Sequence, residues 1–254
     1  MMNGFLLLLI ILVVIQFISY LWAYYNQSDK LTDLVYGGTF AILSLVFLWM
    51  STFQIQHIIM TLLVMVWGIR LSAYLFMRIN SMKRDIRFDE MRPSWSSFGK
   101  FWLLQSGSIL IIFLPVWLVL TKELGSEIEW TFYLAALLSV VGFIIELIAD
   151  NQKSAFKKNA SNKGRPMIYG LYAWVRYPNY LGEILFWLGI YFATLHYISG
   201  WEHLAIISPL WISFLLIKVS GIPLLEENQM KSYSDLPEFK NYLSKTPKLF
   251  PLVY

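Results

Sequence analysis

From Leu34 to Ile69 the chain carries no Asp, Glu, Lys or Arg. A membrane-crossing helix needs about 20 mostly apolar residues, so this uncharged run is long enough for two. It divides at the polar Gln54-Ile55-Gln56-His57, which predicts helices over 34–53 and 58–79. Gly4–Tyr25 is also uncharged. It lacks a basic leading segment and a small-residue cleavage site, so it reads as an anchoring helix rather than a removed signal peptide. Four further runs follow, at 101–121 (with Pro115 as a kink point), 130–149, 180–198 and 204–225. The expectation is an all-α, polytopic bundle of about seven transmembrane helices in one membrane domain, 1–254, with a polar tail over 226–254.

Composition agrees. Hydrophobic residues make up 57% and charged residues 14%, against about 45–50% and about 25% in soluble domains. The absence of Cys excludes disulfides, zinc–thiolate sites and thiolate nucleophiles, and three His leave little for a metal centre. The expectation is therefore no metal.

Charge orients the bundle. With seven helices, all but three of the twenty Lys and Arg fall on one side. They lie at Lys30, in the stretches 78–100 and 153–176, and in the tail. Lys122 falls on the other side, and Arg70 and Lys218 lie within helices. Cytoplasmic loops carry the excess of Lys and Arg, which predicts an external N-terminus and a cytoplasmic C-terminus. The membrane expected is the cell's inner (plasma) membrane. This asymmetry also accounts for the basic loops without nucleic acid.

Ionisable residues inside a bilayer are costly and are functional candidates by default. On the predicted topology Asp33, Arg70, Glu146, Asp150, Asn179, Glu183 and Lys218 all fall in the inner layer. Glu146 and Asp150 share a helix face at i, i+4, as do Asn179 and Glu183. Three readings stay open: charges snorkelling to the interface, a structural ion-pair network, and a polar pocket for a phosphate-bearing cofactor.

The most specific segment is Gly170-Leu-Tyr-Ala-Trp-Val-Arg176-Tyr177-Pro178-Asn179-Tyr180-Leu-Gly182-Glu183. Pro178 suits the first position of a helix. Arg176 precedes that helix, its first turn presents Asn179 and Glu183, and Gly182 permits close backbone approach. This segment resembles the Arg-His-Pro-Asn-Tyr-x-Gly-Glu signature of a bacterial membrane family related to steroid 5-alpha-reductases. Trp67-Gly-Ile-Arg70-Leu resembles its third-helix segment. Glu146-x-x-x-Asp150-Asn-Gln-x-x-x-Phe156-Lys157 resembles the segment before its long cytoplasmic loop. Val219-Ser-Gly-Ile-Pro223-Leu-Leu-Glu226 is similar to its final-helix motif.

The resemblance implies an NADPH-dependent reductase of a carbon–carbon double bond conjugated to a ketone, with a lipidic, steroid- or terpenoid-like substrate entering from the bilayer. The positions matching NADPH contacts are Asp150, Lys157, Arg165, Asn179, Glu183 and Lys218, with Arg70 beside them. Glu146, Arg176, Tyr180 and Glu226 join this cofactor set from the same segments. Hydride goes to the beta carbon while an acid polarises the ketone. Asp33 matches the family's catalytic Glu by its spacing to Arg70. The catalytic Tyr position holds Trp67, which cannot protonate an oxygen, so Tyr36 or Tyr74 substitutes. Tyr177 replaces the signature His, and Lys218 stands where steroid reductases carry Arg.

The alternative is a membrane methyltransferase of the isoprenylcysteine or phospholipid type, using S-adenosylmethionine. Those enzymes share the Arg-His-Pro-x-Tyr-x-Gly start and a late Glu-Glu pair, echoed by Glu226-Glu227. A non-enzymatic lipid-binding or transporter-like bundle is the third reading; the chain has no internal repeat to support it.

Overall fold

The computed structural model describes residues 2–82, 85, 88–125 and 127–250. Among the described residues the regular structure is entirely helical: α1 (Met2–Tyr25), α2 (Lys30–Met50), α3 (Ile55–Met82), α4 (Trp95–Leu120), α5 (Trp130–Lys158), α6 (Pro178–Thr194), α7 (Ile207–Phe214), α8 (Ile222–Tyr233) and α9 (Pro237–Lys245). Among the described residues six stretches are long and apolar enough to cross a membrane: α1, α2, α3, α4, α5 and Gly200–Tyr233. The protein is a multi-pass membrane protein. Three of the basic residues in the 78–100 stretch, Lys83, Arg84 and Arg87, and the tail's Pro251 lie outside the described residues.

The first six predicted helices are present, with shifted ends. The α2–α3 break falls at 51–54, so only Gln54 of the polar tetrad lies in it and Ile55-Gln56-His57 open α3. Ser51 closes α2, and Phe53 takes a positive φ of 55°. α5 runs on to Lys158 because Asn151-Gln152-Lys153 is polar but not helix-breaking, and Lys157 and Lys158 favour a helix C-terminus. At about 1.5 Å per residue, its 29 residues exceed a hydrocarbon core of about 30 Å. The 17 residues of α6 fall short of one.

The last apolar run is not one α-helix. It opens as a 3-10 turn over Gly200–Ile206, and a capping box between Ser199 and Glu202 satisfies its first amides. α7 follows, then a π-turn at Leu215–Val219, a bend at Ser220-Gly221, and α8 restarting with Pro223 in its first turn. A Cβ on Gly221 would strike the Leu216 carbonyl, so only glycine allows this bend.

The chain divides into two compact units, 1–136 with 190–208 and 137–189 with 209–254. In the first, α2 and α3 touch backbone to backbone: a Cβ on Gly37 would lie 2.5 Å from the Gly68 carbonyl oxygen. Small residues at such crossings are how membrane helices gain close packing. α1 and α4 join through amides in otherwise apolar helices. Gln105 donates to Gln16 Oε1 (2.9 Å), and Gln16 donates to Thr39 Oγ1 (3.1 Å). In the second unit α5 and α6 cross at Gly142 and Gly182, where a Cβ on either would meet the other helix's backbone at 2.5–2.6 Å.

Candidate functional site

The second unit gathers the signature segment. The chain enters it at Gly170, whose φ of +61° needs glycine. There Gln152 of α5 accepts the Leu171 N–H through Oε1 (3.0 Å). Tyr172 O accepts a hydrogen bond from Tyr242 Oη of α9 (2.8 Å). The segment after α9 then runs beside the motif: the Arg176 N–H donates to Pro247 O (2.9 Å) and the Tyr177 N–H to Lys248 O (3.1 Å). Pro178 begins α6, as its missing N–H favours.

Around that start sit the charges. Arg176 Nη1 lies 3.4 Å from Glu226 Oε1, and Lys248 Nζ lies 2.9 Å from the same oxygen. Arg176, Glu226 and Lys248, with Met230 and Phe239, line a cleft of about 210 Å³. Tyr177 is buried and stacks on Tyr180 (centroids 5.9 Å apart). Burial pushes the Tyr177 hydroxyl well above the ordinary tyrosine range, and the nearby Glu226 carboxylate adds to the rise. Burial raises Tyr242 likewise. Three buried polar atoms here take no protein partner: Arg176 Nε, Tyr177 Oη and Asn179 Oδ1.

One step along, Glu146 and Asp150 of α5 and Glu183 of α6 are all buried. Gly182 sets α6 against the Glu146 backbone. A Cβ on it would lie 2.6 Å from the Glu146 amide nitrogen, so Glu146 and the neighbour of Glu183 share the helix crossing. Lys157, Arg165 and Lys218 are solvent-exposed, Lys218 on the π-turn.

The first unit holds the other candidates, on the facing helices α2 and α3. Asp33 Oδ2 is 3.4 Å from Arg78 Nη2. Arg70 stacks over the Tyr74 ring at 5.2 Å, and Tyr36 packs edge-on against Phe40 at 5.4 Å. Trp67, at the position of the family's tyrosine, is fully buried and edge-on to the same Phe40 ring (5.3 Å); it is a core residue.

The profile of the DUF1295 family, proteins of unknown function, matches residues 19–246. The chain belongs to the DUF1295 family. The matched residues run from within α1 to the end of α9, so the family's extent takes in most of both units of this DUF1295 protein. Over 76 residues this DUF1295 chain is 33% identical to a probable O-methyltransferase, ustE, of Ustilaginoidea virens. That match spans 29% of this chain and 27% of the relative. No solved structure matches the chain.

Sequence reasoning missed several contributors. Tyr242, Pro247 and Lys248 reach the motif from a tail that read only as polar surface. Gln152 lay within a quoted segment and carried no role. Arg92 counted as one of many loop cations, yet it is buried. Its Nε is 3.0 Å from Asp29 Oδ1, its Nη1 2.8 Å from Asp89 Oδ1, and its Nη2 donates to Asp85 O at 2.7 Å. The acids in Asp85-x-x-x-Asp89-x-x-Arg92 were the available signal.

Proposed function

We propose that this DUF1295 protein is a membrane-embedded oxidoreductase that uses NADPH to reduce a double bond conjugated to a ketone in a lipidic substrate. The observation that supports it most is the start of α6. There Arg176 Nε and Asn179 Oδ1 are buried without protein partners, and the same unit buries the carboxylates of Glu146, Asp150 and Glu183. Left unmatched, each such atom costs about 1–3 kcal/mol. A nucleotide's amide, hydroxyl and phosphate groups would supply the complementary acceptors and donors. When bound, NADPH supplies hydride. The exposed Lys157 and Arg165 suit its phosphates, and Glu183 and Asp150 suit its hydroxyls. Asp33, with Tyr36 or Tyr74, is the proposed acid that polarises the ketone. In the structure Asp33 pairs with Arg78 at 3.4 Å.

A second reading is a membrane methyltransferase using S-adenosylmethionine. The similarity to a probable O-methyltransferase of Ustilaginoidea virens favours it, and Glu226, bridged to Arg176 and Lys248, is the acidic residue that reading needs.

Thermal stability of the detergent-purified protein with NADPH, NADH, S-adenosylmethionine or buffer separates the two. A ligand bound only by the folded state stabilises by about 2.7 kcal/mol at one hundred times its dissociation constant. A shift with NADPH, lost in Asn179→Ala and Glu183→Ala, supports the reductase. A shift with S-adenosylmethionine alone refutes it and transfers the site to Glu226.

A further inference from the structure

A second cleft, of about 420 Å³, opens in the first unit. Three apolar helices converge on it by their ends: α1 stops at Tyr25, α2 starts at Lys30 and α4 starts at Trp95. Its lining includes Asn26, Ser28, Asp29, Lys30, Asp89 and Arg92. The rings of Tyr24 and Trp95 meet edge to face (4.9 Å) beside it, and Tyr25 is exposed. Tyr and Trp gather where helices leave the hydrocarbon. The cleft therefore sits at headgroup depth.

Its charges balance. Lys30 and Arg92 face Asp29 and Asp89, so the lining is formally neutral and matches a zwitterion better than an anion. Arg92 already spends Nε, Nη1 and Nη2 on Asp29, Asp89 and the Asp85 carbonyl. Two groups remain unspent. Lys30 is exposed and has no ion pair among the described residues, and it stands in the first turn of α2, where the helix dipole adds to its pull on an anion. Asp29 is 7% exposed, and its Oδ2 is buried with no donor. An ionised carboxylate oxygen only accepts hydrogen bonds, so the missing partner is an N–H or O–H donor.

We propose that this cleft binds the headgroup of a phosphoethanolamine lipid, its phosphate on Lys30 and its primary ammonium on Asp29 and Asp89. A choline headgroup has the same charges but no N–H to give Asp29. The site shares no residue with the proposed cofactor set, so it stands or falls apart from that reading.

The test uses the full chain, delipidated in detergent. Native mass spectrometry reads retention of dioleoyl-phosphatidylethanolamine, -phosphatidylcholine and -phosphatidylglycerol, whose tails are identical. The expected result is preferential retention of the ethanolamine lipid, reduced about fivefold in Lys30→Glu, on the scale of one basic contact at a membrane surface. Lys30 is exposed, and Glu suits a helix first turn, so this variant folds. Asp29→Asn should narrow the ethanolamine-over-choline preference. Equal retention of all three lipids means annular lipid only and overturns the site. A preference for phosphatidylglycerol, or an ethanolamine preference untouched by Lys30→Glu, overturns it as well. Binding of soluble glycerophosphoethanolamine as strong as that of the lipid overturns the lipid as the ligand.

Discussion

Gly182→Ala is the sharpest test of the helix crossing beneath the proposed cofactor site. The added methyl would sit 2.6 Å from both the Gly142 carbonyl oxygen and the Glu146 amide nitrogen. Ordinary contact begins near 3.4 Å, so α5 and α6 must separate locally by about 0.8 Å. Both obstacles are backbone in the middle of helices, and neither can rotate aside. Overpacking of this kind costs about 1–3 kcal/mol. Separation also withdraws Glu146 from the start of α6, so affinity for the cofactor should fall with stability. Gly107→Ala is the control. It lies in α4 with nothing within 4 Å of the new methyl, and alanine's helix propensity makes it neutral or stabilising by up to about 1 kcal/mol. Thermal unfolding of both variants in the same detergent gives the comparison. If Gly182→Ala is as stable as Gly107→Ala, the close α5–α6 crossing is wrong, and the shared neighbourhood of Glu146 and Glu183 goes with it.

Arg92→Met leaves Asp29 and Asp89 without their cation and should cost about 3–5 kcal/mol, read as a lowered unfolding midpoint; an unchanged midpoint would show that the pairs contribute nothing. Asp33→Asn should keep NADPH-dependent stabilisation and lower turnover of a conjugated enone, and normal turnover would clear Asp33 of the acid role. The contribution of Tyr177 and Tyr242 to stability should be constant below about pH 10 and be lost above it. Free tyrosine ionises near there, so the unfolded chain loses protons that the raised Tyr177 and Tyr242 hydroxyls still hold in the folded state. The double Phe variant should shallow that alkaline limb in a pH series of melting curves.

The helices were legible because hydrocarbon leaves a chain few choices. Uncharged runs must be helical, and Pro178 marks a start by lacking an N–H. The i, i+4 pair Glu146 and Asp150 was legible too, and both are buried. What escaped the sequence was either long-range or not periodic. Nothing local says that Lys248 O will accept from the Tyr177 N–H, because that bond closes a loop through four helices, α6 to α9, and leaves no spacing behind. The π-turn at Leu215–Val219 was hidden for a different reason. Its residues are as apolar as those of α7, and only the demand for glycine at 221 betrays the bend. Arg92 read as a solvated cation because its acids lie on a turn, where periodicity carries no information.

The amide chain from Gln105 through Gln16 to Thr39 has a consequence for α1. The family match begins at residue 19, which invites trimming the protein there. Such a cut removes Gln16 and leaves the buried Gln105 amide with its 3.4 Å bond to Thr32 O. α1 is thus a wall of the first unit and not a tether. A shortened chain should insert, yet lose the register that holds α2 against α4.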